Sequence, residues 1–116
     1  MTAEELLAQE EDAYCLMEAA VLLDQARLGN DGGEVSILEA ALSNNHDLWV
    51  AIRATVSGPD NSMPGDVKEN LVRLSKYVVA TTRNQGSAIT EHALTTLINI
   101  NLQISEGLLE GAEKSD

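Results

Sequence analysis

Residues 38–56 read LEAALSNNHDLWVAIRATV, and this stretch decides the fold. Leu38, Ala41, Leu42, Asn45, Leu48, Trp49, Ile52 and Val56 recur by steps of three and four, which puts all eight on one face of an α-helix. No alternation of period two competes with that pattern. Asn44, Asn45 and His46 are weaker helix formers in the middle of the run. The stretch is read as one helix from Glu34 to Val56, with two shorter helices joined at these residues as the alternative.

The same periodicity appears on both sides. Upstream, Ala3 to Leu28 reads as a helix, with Thr2 as its cap and Glu5 completing a capping box. One apolar line runs through Leu6, Ala13, Met17 and Ala20, with Leu23 at its edge. Asp24 and Arg27 continue it, so the apolar face fades towards the end. A second line, Leu7, Tyr14, Val21 and Leu28, widens the stripe. The glycine-rich run Gly29 to Gly33 ends this helix in a turn.

Downstream, Ser57-Gly58-Pro59-Asp60-Asn61-Ser62 is a clear break. Pro64 suits the first turn of a third helix, and Asp66 and Glu69 complement its dipole. Val67, Leu71, Leu74 and Val78 form the inward line, and Gly86 closes the helix. A fourth helix starts near Ser87 or Thr90. Its stripe is Leu94, Leu97, Ile98, Asn101, Ile104 and Leu108, and Ile100 and Leu102 widen it until most of the circumference is apolar. A helix of that kind is either central in its bundle or partly covered by a partner. Ala112 to Asp116 read as a frayed tail. The expected architecture is therefore all-α: a small bundle of about four helices, one domain over residues 1–116.

Composition narrows the function. The formal net charge is −12, which disfavours direct nucleic-acid binding and adhesion to anionic membranes. Aromatic residues make up 3% of the chain and Phe is absent, so the core rests on Leu, Ile, Val, Ala and Met. No apolar run approaches membrane-spanning length, and the N-terminus lacks the basic and apolar regions of a signal peptide. Cys15 is the sole cysteine. Among Ala13, Leu16 and Met17 it reads as a buried, inert thiol. A cytoplasmic location follows as the simplest expectation.

Chemistry is hard to find in this sequence. His46 and His92 have no carboxylate or cysteine at i+3 or i+4, so no metal site is expected. The glycine run follows a helix rather than a strand and lacks the lysine of a phosphate loop. No nucleophile stands beside a base. No catalytic residue, metal or cofactor is assigned, and the chain is read as a non-enzyme. Asn45 and Asn101 lie on apolar stripes, either as core amides fixing helix register or as hydrogen-bonding groups for a partner helix. Trp49 is either core or an exposed anchor in a partner groove.

Several of these segments, taken in order, resemble one family. They are Asn45-His46-Asp47-Leu48-Trp49, the loop Pro59-Asp60-Asn61-Ser62-Met63-Pro64, then Leu71, Leu74-Ser75 and Tyr77-Val78, and last the run Leu97 to Leu108. Together the chain from about Tyr14 to Gly111 resembles the FlaF flagellar family of alphaproteobacteria. The first helix matches more loosely, and the Gly29 to Gly33 turn is less typical. The resemblance implies a flagellar-assembly factor that binds flagellin and assists its secretion, in a system with FlbT. The alternative it leaves open is a post-transcriptional regulator of flagellin synthesis acting through FlbT or another protein, without escorting flagellin. Flagellin's terminal segments are amphipathic in that picture, and they need cover before export. The expected partner surface involves the second and fourth helices, around Leu48, Trp49, Ile98, Asn101 and Leu102.

Overall fold

In the computed structural model, residues 3–29, 35–58, 61 and 63–114 are described, and they are almost wholly helical. Four long helices follow one another: α1 (Ala3–Gly29), α2 (Val35–Val56), α3 (Gly65–Gln85) and α4 (Glu91–Lys114). A short 3₁₀ turn, Gly86–Ala88, joins the last two. No strand occurs among the described residues. The all-α bundle of four helices is as the periodicity requires.

Local chemistry explains most of the boundaries. Thr90 caps α4: its Oγ accepts the Ala93 N–H at 3.0 Å, and its carbonyl accepts the Leu94 N–H. Gly86 ends α3 with φ of +50°, a conformation that side chains disfavour, and its N–H reaches the Thr82 carbonyl. Pro64 sits just before α3 rather than in its first turn, and its carbonyl accepts the Lys68 N–H at 3.0 Å. Helix α2 runs unbroken through Asn44, Asn45 and His46, which removes the two-helix alternative. Helix α4 continues to Lys114, and the last two residues of the expected frayed tail lie outside the described residues. The Thr2 cap, the turn from Asn30 to Gly33, and Pro59, Asp60 and Ser62 of the break lie outside the described residues.

The helices run alternately up and down, as long-range bonds show. Gln9 Nε2 donates to the Leu108 carbonyl at 2.8 Å, Asn101 Nδ2 to the Leu16 carbonyl at 3.3 Å, and Arg27 to Glu91 at 3.3 Å. These pairings make α1 and α4 antiparallel over nearly their whole length. Ser75 Oγ donates to the Trp49 carbonyl at 3.1 Å and ties α3 to α2. A polar group sits at the centre: Trp49 Nε1 donates to Asn101 Oδ1 at 2.9 Å, and Asn101 Nδ2 donates to Asn45 Oδ1 at 2.6 Å. Trp49, Asn45, Asn101 and Ser75 are fully buried. Burying these groups is tolerable because nearly every donor finds an acceptor; Asn45 Nδ2 alone lacks a partner among the buried side-chain atoms described.

Helix α1 keeps Ala13, Ala20 and Leu23 of one expected line inside and departs from the other. Its buried line is Gln9, Ala13, Leu16, Ala20 and Leu23, with Ala19 and Ala26 beside it. Leu7, Tyr14 and Val21 face solvent, at 60%, 58% and 52% exposure. The larger side chains lie outside because the alanines admit close approach of α4 on one flank and α2 on the other. The apolar face also persists to the end of the helix. Arg27 closes it by pairing with Asp24 and Glu91 and donating to Thr95. Cys15 is exposed rather than buried, a second correction: it sits one residue off the inward line and faces the α2 flank.

Candidate partner-binding groove

Between α1 and α2 the bundle surface is hollowed. At the end nearest the α1–α2 connection, a cavity of about 620 Å³ is bounded by Leu22, Gln25, Ser36, Ile37, Ala40, Ala41 and Asn44. A second, of about 330 Å³, follows it, bounded by Cys15, Glu18, Asn44, Asp47 and Leu48. Asn44 borders both, so the two form one trough along the helix seam. The sequence opens it by placing short side chains, Ser36, Ala40 and Ala41, where α2 faces α1. Leu22 and Ile37 stand at its rim, 37% and 50% exposed.

The trough spans α2 from Ser36 to Leu48, on the order of 18 Å at 1.5 Å per residue. That length suits about three turns of a docked helix, whose apolar residues at i, i+3 or i+4, and i+7 would fall along it. Charge is confined to one end, where Glu18 and Asp47 lie and Asp47 Oδ1 faces His46 Nδ1 at 3.1 Å. A basic residue on an incoming helix would be favoured there. His92 is exposed on α4. Among the described residues, no group of three or more His, Cys, Asp or Glu side chains gathers as a metal site.

Of the residues expected to form a partner surface, the structure divides the set. Trp49 and Asn101 are fully buried and Ile98 is 8% exposed. They are core, and the expectation of a surface there is corrected: Trp49 and Asn101 hydrogen-bond each other across the bundle centre, which holds them inside. Leu102 is 45% exposed on α4. Leu48 is half-buried in the trough on the α2 flank of α1. Leu102 and Leu48 therefore stand outside the core on different helices, and the trough that Leu48 borders does not include Leu102. Sequence reasoning missed Leu22, Ile37 and Ala40. The available signal was that Leu22 and Ile37 are apolar yet lie off the inward lines of their own helices.

The profile of the family described as Flagellar protein FlaF matches residues 1–108. No curated protein and no solved structure matches the chain. Among the described residues, no helix is long and apolar enough to cross a membrane. The match takes in all of α1, so the family relationship reaches beyond the Tyr14 start of the resemblance and includes the helix that forms one wall of the trough. With 108 of 116 residues matched, the chain belongs to the FlaF family of flagellar proteins.

Proposed function

We propose that this chain is a cytoplasmic, non-enzymatic helper of flagellin that holds an amphipathic terminal helix of the unassembled subunit in the α1–α2 trough before export. One observation carries the reading: an apolar trough of helix length lies open between α1 and α2. Family membership supplies the flagellar setting. The apolar side chains of a disordered flagellin end gain cover by docking there. The ordering of that segment opposes the gain, which keeps the complex releasable.

Calorimetry with monomeric flagellin tests this. The expected affinity is micromolar or tighter, about −8 kcal/mol. Ile37→Glu is the decisive variant, because Ile37 is half exposed and borders the trough. It is expected to weaken flagellin binding at least tenfold, about 1.4 kcal/mol, while leaving the melting temperature unchanged. Equal binding by parent and variant would remove the trough as the site. No heat and no complex on gel filtration with the parent would instead favour a regulator acting through FlbT.

A further inference from the structure

Basic residues are scarce in this chain: seven Lys and Arg against nineteen Asp and Glu. Three of the seven, Lys68, Arg73 and Lys76, border a single groove of about 450 Å³ between the end of α2 and α3. Val56 and Val72 form its apolar floor, and Glu69 is the only acid bordering it. Lys68 donates to the Asn61 carbonyl and Arg73 to Asn70 Oδ1. Among the described residues, none of the three pairs with a carboxylate. Lys68, Val72 and Lys76 follow four-residue steps on one line of α3, so the two ammonium-bearing positions lie about 12 Å apart along the axis.

The complement of that pattern lies on α1. Glu4, Leu7, Glu11, Tyr14, Glu18 and Val21 follow alternating steps of three and four, so they share one line of the helix. Acid and apolar residues alternate along it, and all six are exposed. Successive acids are seven residues apart, about 10.5 Å, close to the Lys68–Lys76 spacing. An apolar residue sits midway in both patterns. Within one molecule α1 packs against α2 and α4 but not against α3, so its exposed line cannot reach the groove on its own α3.

We propose that the acidic–apolar line of α1 docks in the basic α2–α3 groove of a second copy of this chain. The contact joins two different patches, so the association is head-to-tail and leaves a free line and a free groove at its ends. Its ion pairs are solvent-exposed, so salt weakens it. The site is separate from the α1–α2 trough apart from Glu18, which edges both.

Sedimentation velocity on the full chain, over a concentration series at low salt and at about 0.5 M salt, tests the proposal. The parent is expected to associate as concentration rises and to dissociate in high salt. Arg73→Glu with Lys76→Glu, and separately Glu4→Lys with Glu11→Lys, are each expected to weaken self-association at least tenfold. An equimolar mixture of the two variants is expected to associate again, because the intact line of the groove variant matches the intact groove of the line variant, and the altered line matches the altered groove. Both variants remain net negative, so recovery on mixing cannot come from overall attraction. Arg83→Glu, exposed on α3 outside the groove, is expected to associate like the parent. All four exchanged side chains are at the surface or its edge, and unchanged circular dichroism verifies the fold of each variant. A parent that stays monomeric throughout overturns the proposal. So does a mixture that stays monomeric, or an Arg83→Glu variant as impaired as the groove variant.

Discussion

Helix α4 has two neighbours and treats them differently. Along α1 it is zipped from end to end: Gln9 to Leu108, Leu16 to Asn101, and Arg27 to Glu91 and Thr95. Along α3, its neighbour in sequence, it packs only loosely. Near the start of α3 the seam opens into a groove of about 420 Å³ bordered by Val67, Asn70, Leu71, Ile104 and Gly107. The contrast accounts for a helix that is apolar over most of its circumference. One flank of α4 is sealed against the alanines of α1, the centre carries the polar cluster, and the other flank is only partly covered. The short connection from α3 to α4 makes them neighbours in the chain, but side-chain size decides which seam closes.

The sealed side predicts the largest effect. Asn101→Ala removes the acceptor of the Trp49 N–H and the donor to both Leu16 and Asn45, leaving several buried polar groups without partners. Each such group costs about 1–3 kcal/mol, so a loss of roughly 3 kcal/mol is expected in urea unfolding. Trp49 is the single tryptophan, so its fluorescence reports the unfolding of this centre directly. A loss below about 1 kcal/mol would mean that the cluster does not hold α4 to the rest of the bundle.

Two glycines on α4 sharpen the comparison, one on each flank. A Cβ built on Gly107, beside the open α3 groove, meets nothing within 4 Å, whereas one on Gly111 comes within 3.0 Å of Gln9 Nε2. That amide is already committed to the Leu108 carbonyl at 2.8 Å. Gly107→Ala should therefore gain the full helix preference of alanine, about 0.5–1 kcal/mol. In Gly111→Ala the gain is offset by displacement of Gln9. Thermal melts of the two variants side by side measure the difference. Equal gains would show that the α1 seam is no tighter at that end than the α3 seam.

The existence and order of the helices were legible because each carries a long three-and-four pattern. The inward line of α2 was read almost residue for residue: Leu38, Ala41, Leu42, Asn45, Trp49, Ile52 and Val56 are all buried. Helix α1 was read only in part, because two lines compete on it: Ala13, Ala20 and Leu23 are buried as expected, but Leu7, Tyr14 and Val21 are not. Size favours Leu7, Tyr14 and Val21, but close packing favours Ala13, Ala20 and Ala26, and a single sequence does not say how near the neighbouring helix will come. The polar centre was visible as two asparagines on apolar stripes. Their role was not, since Trp49 and Asn101 meet only when α2 and α4 are brought together from 52 residues apart. The trough was hidden for a related reason. A groove is made by what two helices fail to fill, and periodicity within either helix carries no record of it.

The smallest predicted effect concerns α1 on its other flank, where it meets the end of α2. Asp12 is half-buried there, bordering a small cavity with Ala8, Thr55, Val56 and Met63. Burial raises its pKa above the usual 3.8, and the neighbouring Glu11 carboxylate adds to the rise. The folded chain therefore holds this proton more tightly than the unfolded one. Between 3.8 and the raised folded value, the folded state binds more protons, so stability falls as pH rises through that window. At pH 7 the group is ionised in both states, and the folded state bears the penalty in full. Asp12→Asn removes a charge that burial disfavours while keeping the side-chain shape. It is expected to raise the melting temperature slightly at pH 7, slightly because the group still meets solvent. As pH falls through the raised Asp12 value the advantage should shrink. Below the unfolded value Asp12 is neutral in both states, and the two proteins should melt together. Melting curves from pH 3 to pH 7 on parent and variant test this. A variant that melts lower at neutral pH would show that the Asp12 carboxylate is needed in its charged form. A difference that stays constant across the series would assign the effect to local helix preference rather than to a buried charge.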